Sequence, residues 1–293
     1  MPLYRQFNTQ EELDWEYRPE IRIDDPKAFE KIIAQRIAKA DEARASLKRT
    51  ADVHYGPTRM EKLDIYPAGP NAPIVVFIHG GYWFDGRLKK ENYIWVALGF
   101  VARGVTVVVI DYDVCPKVTV DEIVRQCRAA IAWVYKNAET FGGDRERLYV
   151  TGNSAGGHLT AMMAITRWDD DYMLPDDVIK GACPISGLYD LEPFRYTWLQ
   201  PKIQFNGLQI RRNSPILHVP ESAIPLLVSW GTDESSEFWR QSEEFGAGWA
   251  ANGNRVEMHP QQGRNHFTAI DGFGDPESPF LEKVLEHMRS TWA

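Results

Sequence analysis

Two uninterrupted apolar runs, Pro73-Ile-Val-Val-Phe-Ile-His79 and Val105-Thr-Val-Val-Val-Ile110, constrain the fold more than any other feature of the chain. A strand with one face in water alternates apolar and polar residues, so a strand that is apolar throughout must be covered on both faces. Further strands are expected at residues 63–66, around Leu148, and at 179–185, 224–230 and 255–259. Helical patterns fall between them at 91–103, from Thr119 to about Tyr135, at 237–251 and at 280–290. The second of these opens on a threonine cap followed by Val120-Asp-Glu, which places acidic residues in the first turn. Alternating strands and helices of this kind predict an α/β fold with a mostly parallel sheet.

No Pro/Gly/Ser linker, low-complexity tract or internal repeat divides the 293 residues, so one domain spanning 1–293 is expected. Two segments stand outside the alternation. Residues 1–58 are expected to form a helical extension, with an amphipathic helix over 26–49 preceded by an aromatic, acidic stretch (Leu13, Trp15, Tyr17). Periodicity leaves that helix open to three roles: a lid, a contact in a homodimer, or plain packing. Residues 191–218, rich in aromatics and prolines and carrying Arg211-Arg212, are expected to form a cap-like insertion.

A net charge of −8 with both signs interspersed argues against nucleic acid or an anionic membrane as the main partner. No stretch of eighteen apolar residues occurs, and the start lacks the basic-then-apolar layout of a secretory signal. The three cysteines (Cys115, Cys127, Cys183) form no C-x-x-C pair, and H-E-x-x-H is absent. A cytoplasmic enzyme without metal or cofactor is the expectation.

The chemistry is signalled by Gly152-Asn153-Ser154-Ala155-Gly156, directly after the run Arg147-Leu-Tyr-Val-Thr151 and before Leu159-Thr-Ala-Met-Met-Ala-Ile165. G-x-S-x-G between a strand and a helix forces a sharp turn that exposes the serine hydroxyl at the carboxyl edge of a sheet. A serine needs an imidazole to take its proton, and the imidazole needs a carboxylate to fix its tautomer. In the α/β-hydrolase topology these follow in the order serine, acid, histidine. Of seven histidines, His54, His79, His158 and His218 lie in the wrong segments, and His287 lies inside the last helix. His259 ends a strand beside Pro260, which leaves His266, in the polar loop Gly263-Arg-Asn-His-Phe267, as the candidate base. The acid is expected in Gly231-Thr-Asp-Glu234, where spacing does not choose between Asp233 and Glu234. Asp190 and Glu192 come one strand too early, and Glu237 reads as compensating a helix dipole. Oxyanion donors are expected from the N–H of Ala155 and from Gly81 and Tyr82 of His79-Gly-Gly-Tyr-Trp83, which resembles the H-G-G-G loop of lipases and esterases.

Further motifs give the chain a closer resemblance: Asp111-Tyr-Asp-Val-Cys-Pro-Lys117, Gly156-Gly-His-Leu159, Ser186-Gly-Leu-Tyr-Asp-Leu-Glu-Pro193, Arg212-Asn-Ser-Pro215 and Ser236-Glu-Phe-Trp-Arg-Gln241. With His79–Trp83 they resemble the kynurenine formamidase (arylformamidase) branch of the α/β-hydrolase superfamily. The resemblance implies a metal-independent serine hydrolase that acts on N-formyl-L-kynurenine, with Ser154 as nucleophile and His266 as base. It aligns Glu234 with the acid of that branch, where aspartate is usual, so Asp233 stays as the alternative. Asn153 replaces the more usual histidine before the nucleophile. A pocket around Tyr82, Trp83 and the 191–198 segment, Tyr196 included, is implied for an aryl amide or ester substrate.

Overall fold

The computed structural model describes residues 1–23, 25–221 and 223–292. The chain begins with helices α1 (Gln10–Tyr17) and α2 (Pro26–Ser46), then strands β1 (Thr50–His54), β2 (Lys62–Tyr66) and β3 (Ala72–Ile78). Alternation follows: α3 (Ala97–Ala102), β4 (Thr106–Ile110), α4 (Val120–Asn137), β5 (Gly143–Asn153), α5 (Ala155–Ala164) and the short α6 (Trp168–Tyr172). After β6 (Gly181–Ile185) come the short helices α7 (Gln200–Ile203) and α8 (Gly207–Asn213). The chain then closes through β7 (Leu226–Gly231), α9 (Ser236–Ala251), β8 (Val256–Gln261) and α10 (Pro279–Arg289).

The strands form one eight-stranded sheet in the order β1-β2-β4-β3-β5-β6-β7-β8. β1–β2 and β2–β4 pair antiparallel, and every later pair is parallel. The runs in β3 and β4 are buried at every position, as their composition requires. One face of the sheet packs against α4, α5 and α9 through residues such as Ile131, Leu159 and Phe245. The other packs against α3 and α10 through Phe100, Leu281 and Val284. No helix among the described residues is long and apolar enough to cross a membrane.

Three departures from the sequence expectations bear on the site. The helical extension ends at Ser46, and residues 50–54 are a strand that caps the sheet edge. The 91–103 pattern yields only a six-residue α-helix, preceded by two 3₁₀ turns around the buried residues Tyr93, Ile94 and Trp95. Lys90 causes that irregular start: its ammonium is buried and paired with Asp52, Asp64 and Glu91, which pins the chain before a regular turn can form. The third departure is α1, whose Thr9 and Glu12 cap each other's backbone reciprocally.

The amino-terminal segment straddles the sheet. Leu13 and Tyr17 of α1 join the core on the α9 side, whereas Ala40 and Ala43 of α2 join the opposite one. The described residues between them therefore cross the carboxyl ends of the parallel strands as a strap.

Candidate active site

Because β3, β5, β7 and β8 are parallel, the loops that leave them open on one rim. That rim receives His79–Trp83, Ser154, Glu234 and His266. Ser154 has φ 62° and ψ −123°, a conformation costing on the order of 1–3 kcal/mol for a residue with a side chain. Glycine neighbours make the turn possible. A Cβ on Gly156 would lie 2.0 Å from the Ile78 carbonyl oxygen, and one on Gly152 would lie 2.5 Å from the same atom. The turn thus seats α5 directly on the backbone of β3.

Glu234 and Asp233 part company in three dimensions. The Asp233 N–H donates to the Arg264 carbonyl (2.9 Å) and its side chain is exposed. Glu234 donates its N–H to the Gly231 carbonyl, and this tight turn points its side chain inward, fully buried. One carboxylate oxygen accepts from Ser186 Oγ (2.5 Å) and the Gly231 N–H (2.7 Å); the other lies 2.8 Å from His266 Nδ1. The loops carrying Glu234 and His266 press together so closely that a Cβ on Gly231 would lie 2.0 Å from the Arg264 carbonyl oxygen. His266 is 5% exposed and packs against Phe238, ring centroids 4.4 Å apart. Ser186 is a residue whose part the sequence did not reveal, although its motif stands out there.

Ser154 and His266 line one cavity of about 640 Å³, together with Gly80, Gly81 and Tyr82. Among the described residues neither the Ser154 hydroxyl nor His266 Nε2 is engaged by another side chain, which leaves both free toward that space. Catalytic hydrogen bonds of this kind commonly close only when substrate is bound. The Gly80 position approaches the serine turn so tightly that a Cβ there would lie 2.8 Å from the Asn153 carbonyl oxygen. Gly81 (φ 125°) and Tyr82 (φ 50°) adopt left-handed conformations, and neither N–H has an acceptor among the described residues. Ala155 opens α5, so its N–H is one of the helix's free amino-terminal donors. These three amides are thus available to an anionic oxygen.

His79 braces this loop. Its ring stacks on Tyr112 (4.4 Å), its Nδ1 lies 2.8 Å from the Gly80 carbonyl oxygen, and Tyr112 Oη donates to the His79 carbonyl. Trp83 is fully buried beneath the loop rather than in the cavity wall. Its indole N–H donates to His158 Nδ1 (3.0 Å), and His158 Nε2 lies 2.7 Å from the Asn213 carbonyl oxygen. Burial pushes His158 down to about 4, consistent with a neutral ring that accepts on one side and donates on the other. Tyr196 also lies outside the cavity, half-buried beside Glu192. The aromatic wall is made instead by Tyr82, Phe84, Tyr93, Trp198, Phe29 and Phe267. Asn153, buried beside the serine, leaves its Nδ2 unpartnered among the described residues.

The strap completes the enclosure. Arg18, Pro19, Phe29, Ile33 and Arg36 line the cavity from above. Arg36 donates to the Phe267 carbonyl, next to His266, and lies 3.6 Å from Asp271. Tyr82 Oη donates to the Tyr17 carbonyl. Glu237, expected only to compensate a helix dipole, is buried and accepts from Tyr17 Oη (2.6 Å) and Arg240 (2.7 Å), tying α1 to α9. Among the described residues no three His, Cys, Asp or Glu side chains converge as metal ligands.

Residues 63–248 match the BD-FAE family. The kynurenine formamidase of Danio rerio is 33% identical over 256 residues, covering 85% of this chain and 84% of that one. Esterase LipC of Mycobacterium tuberculosis is 33% identical over 202 residues, 61% of this chain and 50% of that one. Among solved structures, a putative thioesterase from Silicibacter sp. TM1040 superposes with a TM-score of 0.77 at 27% identity, covering 92% of this chain and 98% of that one.

Proposed function

The chain belongs to the BD-FAE family and to the kynurenine formamidase-like branch of the α/β-hydrolases, and from that premise we propose a serine hydrolase that converts N-formyl-L-kynurenine to L-kynurenine and formate. The observation that carries this reading is the buried Glu234–His266 pair facing the cavity that Ser154 lines.

In this mechanism His266 Nε2 takes the Ser154 proton as Oγ attacks the formyl carbon. The carbonyl oxygen becomes an anion held by the N–H groups of Ala155, Gly81 and Tyr82. Glu234 holds the tautomer with Nδ1–H and stabilises the imidazolium. That imidazolium then protonates the departing aryl amine, and water, activated by the same ring, releases formate from Ser154. A formyl group carries only hydrogen on its carbonyl carbon, so it asks for the least room of any acyl group beside Ser154. Free, buried thiols at Cys115, Cys127 and Cys183 fit a reducing, cytoplasmic setting.

Carboxylester hydrolysis is the rival activity, favoured by the likeness to Esterase LipC. The test is kcat/KM for N-formyl-L-kynurenine against short p-nitrophenyl esters on the purified enzyme. Formamide turnover orders of magnitude slower than ester turnover overturns the formamidase reading and leaves an esterase.

A further inference from the structure

Four cationic side chains line the cavity, and three already hold an acid. Arg18 pairs with Glu20 (2.9 Å), Arg87 with Asp85 (2.6 Å), and Arg36 sits 3.6 Å from Asp271. Lys202, on α7 of the insertion, has no carboxylate within ion-pair distance among the described residues. Its ammonium instead rests over two rings of the cavity wall, 4.3 Å from the Trp198 centroid and 4.5 Å from that of Phe84. Trp198 is held in turn by edge-on contacts with Tyr82 (5.9 Å) and Phe84 (5.7 Å), and its backbone N–H donates to Asp14 (2.8 Å).

The arrangement has a chemical consequence. Attraction to an aromatic face localises an ammonium without using its N–H groups as hydrogen bonds to oxygen. A lysine so held is positioned yet keeps its donors for an incoming anion, at less ordering cost than a free side chain would incur. Asp85 is the nearby competitor. Its carboxyl is held below its ordinary range first by its Arg87 partner, with Lys202 contributing only at longer range. Because Tyr82 supplies both a candidate oxyanion amide and a ring against Trp198, the lysine's aromatic seat is continuous with the reaction centre.

We propose that Lys202, seated on Trp198 and Phe84, is a specificity-determining residue that receives a carboxylate on the leaving-group side of the substrate, so that the site selects carboxylate-bearing aryl amides and esters over those that lack one. This rests on the serine-hydrolase reading of Ser154 and gives the substrate class a stated charge.

Two aryl acetates that differ only in carrying a side-chain carboxylate or carboxamide supply the test, alongside N-formyl-L-kynurenine and formanilide. In K202M the KM for the carboxylate ester and for N-formyl-L-kynurenine is expected to rise about 10-fold, with the carboxamide ester and formanilide unchanged. K202R should recover part of the loss. Raising ionic strength should raise KM for the two carboxylate-bearing substrates in the wild type and not in K202M. Equal changes on charged and neutral substrates, or none on either, overturn the proposal. The ester pair reads Lys202 even if the wild type ignores N-formyl-L-kynurenine. That outcome would remove the formamidase reading and leave the anion subsite standing or falling on its own data.

Discussion

The serine turn and the amino-terminal strap bound the same cavity but are specified in opposite ways. The turn is five consecutive residues whose glycines permit φ 62° at Ser154 and a helix seated on β3. The strap owes its position to residues two hundred or more positions away: Tyr17 to Glu237, Arg36 to Phe267. A local device can be read from its own letters and fails when one atom is removed. A device assembled from distant contacts is silent in the sequence and fails by degrees.

The largest expected effect lies at the turn. Ser154→Ala should lower kcat by ~10⁴-fold or more while leaving the unfolding midpoint in place, since the oxygen removed makes no hydrogen bond to another side chain among the described residues. Ready turnover by this variant would break the comparison at its root. Next come the two adjacent acids. Glu234→Gln should cost ~10³–10⁴-fold in kcat by offering an amide that stabilises the wrong imidazole tautomer, whereas Asp233→Asn should stay within about twofold. Steady-state kinetics of the pair reads this directly, and the reverse ranking would transfer the acid's role to the exposed loop position.

The strap should respond on stability before chemistry. Tyr17→Phe leaves the buried Glu237 carboxylate one hydrogen bond short and should lower unfolding free energy by about 1–3 kcal/mol in denaturant titration, with kcat within about twofold. Acid pH probes the turn's own support. Burial holds His158 near 4, while in the unfolded chain it titrates near ~6.5. Its contribution is therefore intact above about pH 6.5 and shrinks as acid protonates only the unfolded state, by about 2 kcal/mol at pH 5. Urea unfolding from pH 7 to 5 measures the slope, and His158→Gln should reduce it, leaving the part carried by His287, which burial also pushes down to about 4. Last, Arg36→Ala frees the Phe267 carbonyl beside His266 and should reduce kcat/KM about 10-fold through misplacement of the imidazole. An unchanged value would make the strap a passive cover.

Legibility followed the range of the interactions. The buried strands, the serine turn, the glycine loop and the position of His266 each carry a local pattern, and each element sits where its pattern places it. Trp83 and Tyr196 behave differently: aromatic character suggests a pocket wall, but only packing decides that Trp83 faces His158 and that Trp198 faces the cavity. Lys90 likewise interrupts a helical pattern through acids that lie up to thirty-eight positions away.

By itself the sequence determined an α/β chain with a serine elbow, a donor loop and a late histidine, because strand periodicity and glycine spacing act within a few residues. The tertiary structure alone decided which of two neighbouring carboxylates meets the imidazole, which aromatics face the cavity, and what roofs the site. Those outcomes depend on where a side chain points once distant loops are pressed together, and direction of that kind is a property of packing that no stretch of letters contains.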